Sequence, residues 1–210
     1  SYDLLGRVTE ERIEELTGEL FQRSAFAYDP FGNKIEKTLG NSTIKTRYNP
    51  QGKPVLKTDP SGFETRYLYD YSFPFEGNLV LSITRIDPLG SLEITLVDPE
   101  DQTLQKSHLD PMGNTLKEEK NTYDLCGRLV KTVSLNGVET HWEYDLMGRE
   151  AACKEAAGLP DEKISRYFYN HLGQKSAALK PDGITLLFCY DTLGRLEQES
   201  SSDGALHVTY

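Results

Sequence analysis

The sequence is short of the features that mark a disulfide scaffold, a metal centre, a membrane span or a nucleic-acid surface. It has three cysteines, Cys126, Cys153 and Cys189, an odd number with no C-x-x-C pair. A disulfide framework needs a denser, even set, and four scattered histidines supply no zinc spacing. The thiols are read as free and partly buried, as cysteine usually is. No apolar run reaches the roughly 18 to 20 residues of a membrane-spanning helix. The first residues, Ser1 to Arg7, lack the apolar core of a signal peptide. Lysines and arginines form no cluster and the net charge is −10, which argues against phosphate-backbone binding. No nucleophile elbow, phosphate loop or Ser-His-Asp order is present. Asp98, Glu100 and Asp101 crowd one turn but lack the glycine and terminal Glu of a calcium loop. No enzyme, cofactor or metal is therefore expected.

What the chain does have is tyrosine. Of 210 residues, 12 are Tyr against one Trp, and the aromatic fraction is 10%. Disordered chains lack such side chains, and aromatics pack well on a pleated sheet. Mean hydropathy is low, −0.54, so thin sheets with much surface per residue are expected rather than one thick core.

Self-comparison shows a repeated phrase: Tyr-Asp, two variable residues, Gly, and often Arg. It stands at Tyr2-Asp3-Leu4-Leu5-Gly6-Arg7, Tyr28-Asp29-Pro30-Phe31-Gly32 and Tyr48-Asn49-Pro50-Gln51-Gly52. It returns at Tyr123-Asp124-Leu125-Cys126-Gly127-Arg128, Tyr144-Asp145-Leu146-Met147-Gly148-Arg149, Tyr169-Asn170-His171-Leu172-Gly173 and Tyr190-Asp191-Thr192-Leu193-Gly194-Arg195. Ile86-Asp87-Pro88-Leu89-Gly90 and Leu109-Asp110-Pro111-Met112-Gly113 are read as degenerate copies. Tyrosines 28/48, 48/69, 123/144 and 169/190 are 20 or 21 residues apart, while 2/28 and 144/169 are separated by 26 and 25.

Asp or Asn first, Pro second and Gly fourth are the preferences of a type I turn. Closed by a left-handed Gly, such a turn makes a hairpin loop with a bulge. A second Gly-containing turn follows about ten residues on, at Asp59-Pro60-Ser61-Gly62, Asn136-Gly137, Asp182-Gly183 and Asp203-Gly204. Each period therefore holds two strands and two turns. Aromatics two residues apart, Phe26/Tyr28, Tyr67/Tyr69, Trp142/Tyr144, Tyr167/Tyr169 and Phe188/Tyr190, share one face and are expected to form cross-strand ladders. The Arg after Gly is expected to lie over the Tyr ring or to pair with a neighbouring Asp. Val8 to Gln22 and Glu150 to Lys163 have helix-forming composition. Turn signals at Thr17-Gly18 and Gly158-Leu159-Pro160-Asp161 favour longer hairpins there. Tyr69 to Asn78 reads as an expanded turn, and residues 71–122 as an irregular stretch with a bend.

These phrases resemble the YD repeats of the rearrangement-hotspot (RHS) family of polymorphic toxin shells, insecticidal toxin complex shells and teneurins. The resemblance implies an all-β array of tandem antiparallel hairpins over residues 1–210, a piece of a longer protein. In that family a curved ribbon spirals into a hollow shell. The implied function is structural: a stretch of shell wall that encloses a C-terminal toxin or effector. The implied partners are further repeats and an enclosed toxin domain of its own longer chain. The parent is expected to be secreted, cell-surface or delivered by a bacterial secretion system. The family's self-cleaving aspartyl core is not expected, since Asp87-Pro88-Leu89-Gly90 and Asp110-Pro111-Met112-Gly113 lead into ordinary repeat sequence. The alternative function is adhesion to cell-surface glycans or proteins, with Trp142 and Tyr144 as sugar-stacking rings; an autoprotease or glycosidase is a weaker one.

Overall fold

The computed structural model describes residues 1–14 and 20–210, and no helix occurs among them. The chain divides into two compact units, 1–117 and 118–210. The first holds β1 (Glu10–Glu14), β2 (Leu20–Tyr28), β3 (Lys34–Leu39), β4 (Ser42–Tyr48), β5 (Pro54–Thr58), β6 (Glu64–Phe75), β7 (Asn78–Ile86), β8 (Leu92–Val97), β9 (Thr103–Leu109) and the opening of β10 (Thr115–Tyr123). The second holds the rest of β10, then β11 (Leu129–Ser134), β12 (Glu139–Tyr144), β13 (Glu150–Glu155), β14 (Lys163–Tyr169), β15 (Lys175–Leu179), β16 (Thr185–Tyr190), β17 (Leu196–Ser201) and β18 (His207–Thr209). From β1 to β9, and again from β10 to β18, each strand pairs antiparallel with the next in sequence. The fold is a hairpin-repeat meander, as the turn spacing predicts.

The period-two reading of the aromatics holds at four of the five pairs, while at Phe26/Tyr28 the intervening Ala27 is itself half-buried. Tyr67 and Tyr69, Trp142 and Tyr144, Tyr167 and Tyr169, and Phe188 and Tyr190 are half-buried, while Leu68, Glu143, Phe168 and Cys189 between them are exposed. The sheets are thin. Among the described residues only Val80, Leu96, Val97, Ala152 and Ala178 form a buried apolar core. The accessible surface is 14,338 Å², against about 9,800 Å² for a compact monomer of this mass.

The described residues of both helix-like stretches form strands and a turn, not helix. Antiparallel β1 and β2 carry the first, whose Thr17-Gly18 signal lies outside the described residues. β13 and β14 carry the second, joined by a turn in which Leu159 N–H donates to Ala156 O at 3.0 Å. Tertiary pairing overrides the helix propensity of Glu and Ala here.

The expanded turn at Tyr69 needs correction. β6 runs through Asp70 to Phe75, and its hairpin closes only at Glu76-Gly77, both with positive φ (+49° and +86°). That pair is the type I′ pattern, matched to strand twist. Asp70 marks a register shift instead of a turn, with its Oδ1 accepting from Ser72 N–H at 2.9 Å. The division between the two units, at 117/118, falls inside the stretch read as irregular.

The copies at Asp87 and Asp110 are turns, but not of the Tyr-Asp edge. In the first unit that edge carries the turns after β2, β4, β6 and β8, at Asp29, Asn49, Glu76 and Asp98. Asp87 and Asp110 follow β7 and β9, on the opposite edge with Asp59. The chain crosses the sheet once per strand, so parity assigns the edge whatever the local wording. The copy that keeps the register is Val97-Asp98-Pro99-Glu100-Asp101, where Asp101 adopts the left-handed φ of the missing glycine, +64°.

Candidate functional site

The repeated turn is built the same way throughout. At Asp124 the backbone N–H donates to Arg128 O at 2.9 Å, and Gly127 N–H donates to Asp124 O at 2.9 Å. These two bonds define a type I turn with a glycine bulge. The carboxylate fastens the loop: Oδ1 accepts from Cys126 N–H (2.9 Å) and Arg128 N–H (3.0 Å), and Oδ2 accepts from Arg128 Nε (2.7 Å). The same three side-chain bonds recur at Asp3, Asp145 and Asp191 with Arg7, Arg149 and Arg195. At Asn49 and Asn170 the amide oxygen takes the same two backbone donors. Asp29 and Asp110 use Asn33 and Asn114 where the others use Arg. The fourth position needs glycine, as at Gly148 and Gly173 (φ +78° and +82°).

This bonding favours the ionised carboxylate. Backbone and guanidinium donors from Arg128 hold Asp124 below its ordinary range, and Arg195 does the same for Asp191. For Asp145 the Arg149 guanidinium is the leading cause.

Each phrase also grips the next. Tyr28 Oη donates to Val8 O (2.8 Å), Tyr48 to Lys34 O (3.0 Å), and Tyr69 to Pro54 O (2.9 Å). Tyr144, Tyr169 and Tyr190 donate to Leu129, Glu150 and Lys175 carbonyls at 2.7, 2.8 and 2.9 Å. The acceptor always lies just past the preceding turn. The arginine expected over a tyrosine or beside an aspartate does both, toward different repeats. Arg7, Arg128 and Arg149 pair with their own Asp and cover the following Tyr28, Tyr144 and Tyr169 rings at 4.7, 4.7 and 4.4 Å. The same residue abuts the following glycine: a Cβ on Gly148 would lie 3.4 Å from Arg128 Nη1, and one on Gly194 3.2 Å from Gln174 Nε2. Asn33, Lys53 and Gln174, whose equivalence to Arg the sequence pattern does not signal, stand at this position in the other copies. Burial raises the phenol groups of Tyr144 and Tyr169 above their ordinary range. Tyr2 bridges to Val8, and Tyr123 closes β10. On the opposite edge Gly90 stacks against Pro111, its would-be Cβ 3.5 Å from the ring.

The proposed sugar-stacking pair separates. The Tyr144 ring is covered by Arg128. Trp142 instead lines an open depression with Tyr167, Cys153, Glu150, Glu155, Asp161 and Lys163. Two thiols are more open than expected: Cys126 and Cys189 are exposed, and only Cys153 is half-buried. Among the described residues no group of His, Cys, Asp and Glu is placed to hold a metal ion.

Fold and turn together define a class, the Tyr-Asp hairpin-repeat arrays. No protein-family model matches the chain, and no curated protein does. Solved structures do. The TcdB2–TccC3–Cdc42 and TcdB2–TccC3 crystal structures each match at TM-score 0.57 and 14% identity, over 96% of this chain. A Tc holotoxin pore of Photorhabdus luminescens, with a mutated TccC3, matches at TM-score 0.55 and 14% identity, also over 96%. The chain spans only 13% of the length of those chains. At this identity the likeness shows a shared fold and no particular family or member.

Proposed function

We propose that this chain is a stretch of wall in an RHS-type shell and acts by shape, without catalysis, around a toxin or effector carried by its own longer chain. The observation that supports this most is the coupling of turn to turn. The Tyr-Asp turns are closed by their own Asp or Asn side chain, and six repeats are fixed to a neighbouring one through a Tyr hydroxyl, with an Arg or its stand-in beside it. Such nearest-neighbour coupling lets an array extend without a thick core. The likeness to Tc toxin chains over 96% of the sequence points the same way. The test is protease protection of the full-length parent. Its non-repeat segment is expected to survive in the folded protein and to be digested once acid or denaturant opens the wall. Digestion of that segment at the same rate in the folded and denatured protein would contradict the reading.

A second reading, sugar binding at a cell surface, is favoured by the depression that Trp142 and Tyr167 line together with Glu150, Glu155 and Asp161. Aromatic walls beside carboxylates suit a pyranose ring. A glycan array tests it: binding lost in Trp142→Ala supports the reading, and no binding by the unmodified chain sinks it.

A further inference from the structure

The Tyr-Asp turns of the second unit leave large apolar side chains uncovered. Leu125 and Leu146 are each 106% exposed, Met147 80%, Leu193 76% and Leu172 69%, with Cys126 exposed beside Leu125. The middle positions of a type I turn accept most residues, polar ones included, and only Pro is favoured, at the first of them, so nothing in the turn calls for leucine. Turn chemistry therefore does not account for these leucines.

The four turns follow β10, β12, β14 and β16 and so share one edge. Alternate strands lie about 9.6 Å apart, which makes the tips a row roughly 30 Å long. The row is also neutral, in a chain of net charge −10. Asp124, Asp145 and Asp191 are paired with Arg128, Arg149 and Arg195, and the remaining turn has Asn170. The opposite edge of the same unit carries Asn136, Asp182 and Asp203 at its turns. In the first unit the Tyr-Asp turns also expose Leu4, Leu5 and Phe31, but the run is broken by Pro50-Gln51, and Asp29 meets the neutral Asn33 in place of Arg.

We propose that this row of tips is a self-association interface, covered by the same row on a second copy of the chain. A fully exposed Leu side chain offers on the order of 100 Å² of apolar surface. The four leucines and Met147, at 69 to 106% exposure, together offer roughly 450 Å², comparable to the apolar share of the ~800 Å² per partner in a standard interface. A row with one period is self-complementary about a two-fold axis, which makes it fit for an isologous dimer. Its pairing with itself brings no like charges together. The inference rests on the exposed tips alone and does not depend on the shell reading.

Sedimentation velocity on the 210-residue chain tests it. A concentration-dependent dimer is expected, with a midpoint on the order of micromolar. Leu125→Ser/Leu146→Ser/Leu172→Ser/Leu193→Ser is expected to weaken it at least tenfold, with circular dichroism unchanged, and with melting unchanged at concentrations below the dimer midpoint, because the four side chains are exposed. Leu4→Ser/Leu5→Ser, in the first unit, is expected to leave it intact. Raising the salt to about 1 M should preserve an apolar, neutral contact, whereas a charge-driven one would dissociate. A chain monomeric at about 100 µM overturns the proposal. So does a dimer that the quadruple substitution leaves equally tight, or one that salt dissolves.

Discussion

Tyr169 does two things at one position: its ring lies under Arg149, and its hydroxyl donates to Glu150 O at 2.8 Å. Tyr169→Phe keeps the ring and removes the bond, leaving a part-buried carbonyl short of a donor. A loss of about 1 kcal/mol is expected in urea unfolding; no change in the midpoint would mean the hydroxyl bond is idle. Glycine geometry gives a paired test. Gly113 and Gly194 have φ of +87° and +81°, but only Gly194 has a neighbour, Gln174 Nε2, within 4 Å of a would-be Cβ. Gly113→Ala is expected to cost about 1 kcal/mol from backbone strain. Gly194→Ala should cost more, because it also pushes aside the Gln174 amide, which donates to Gly194 O at 3.0 Å. Equal losses would show that the turns do not press on each other. Ala156 sits at φ +52° without a side chain that can bond locally. Ala156→Gly is expected to stabilise by roughly 0.5 to 1 kcal/mol in the same assay.

At the scale of the hairpin, the paired carboxylates set a pH dependence. Asp124, Asp145 and Asp191 are held below their ordinary range by bonds to Arg128, Arg149 and Arg195. A depressed carboxylate binds fewer protons folded than unfolded, so its contribution is full above the unfolded pKa and is lost as pH falls through the folded one. The melting temperature is therefore expected to hold near neutrality and to fall below about pH 4. Replacing the three residues by Asn, the residue already present at Asn49 and Asn170, should make that fall shallower. Glu93 and Glu139, also depressed, by Lys106 and Lys131, retain part of it. An unchanged acid limb in the triple variant would remove the turns from the account. The hairpins themselves are legible in the sequence because Asp, Pro and Gly carry turn chemistry locally. Edge assignment is not: Asp87 and Asp98 begin turns of similar wording, and only the strand count between them puts them on opposite edges. The partner of each arginine is hidden for the same reason, since Arg149 reaches Tyr169, twenty residues on.

Over the whole chain, the low mean hydropathy and the tyrosine excess foretell thin sheets, and the short list of buried residues agrees with them. What they do not foretell is the uncovered apolar row at Leu125, Leu146, Leu172 and Leu193. Variable positions in a repeat look interchangeable until the fold places them side by side. The central claim, that these coupled turns make wall, is tested most directly by electron microscopy of the full-length parent. A closed or partly closed hollow particle, with a sheet one layer thick around a cavity and these repeats within that sheet, is the predicted result. A solid particle, or an extended one with both faces of the repeat sheet open to solvent, would contradict it.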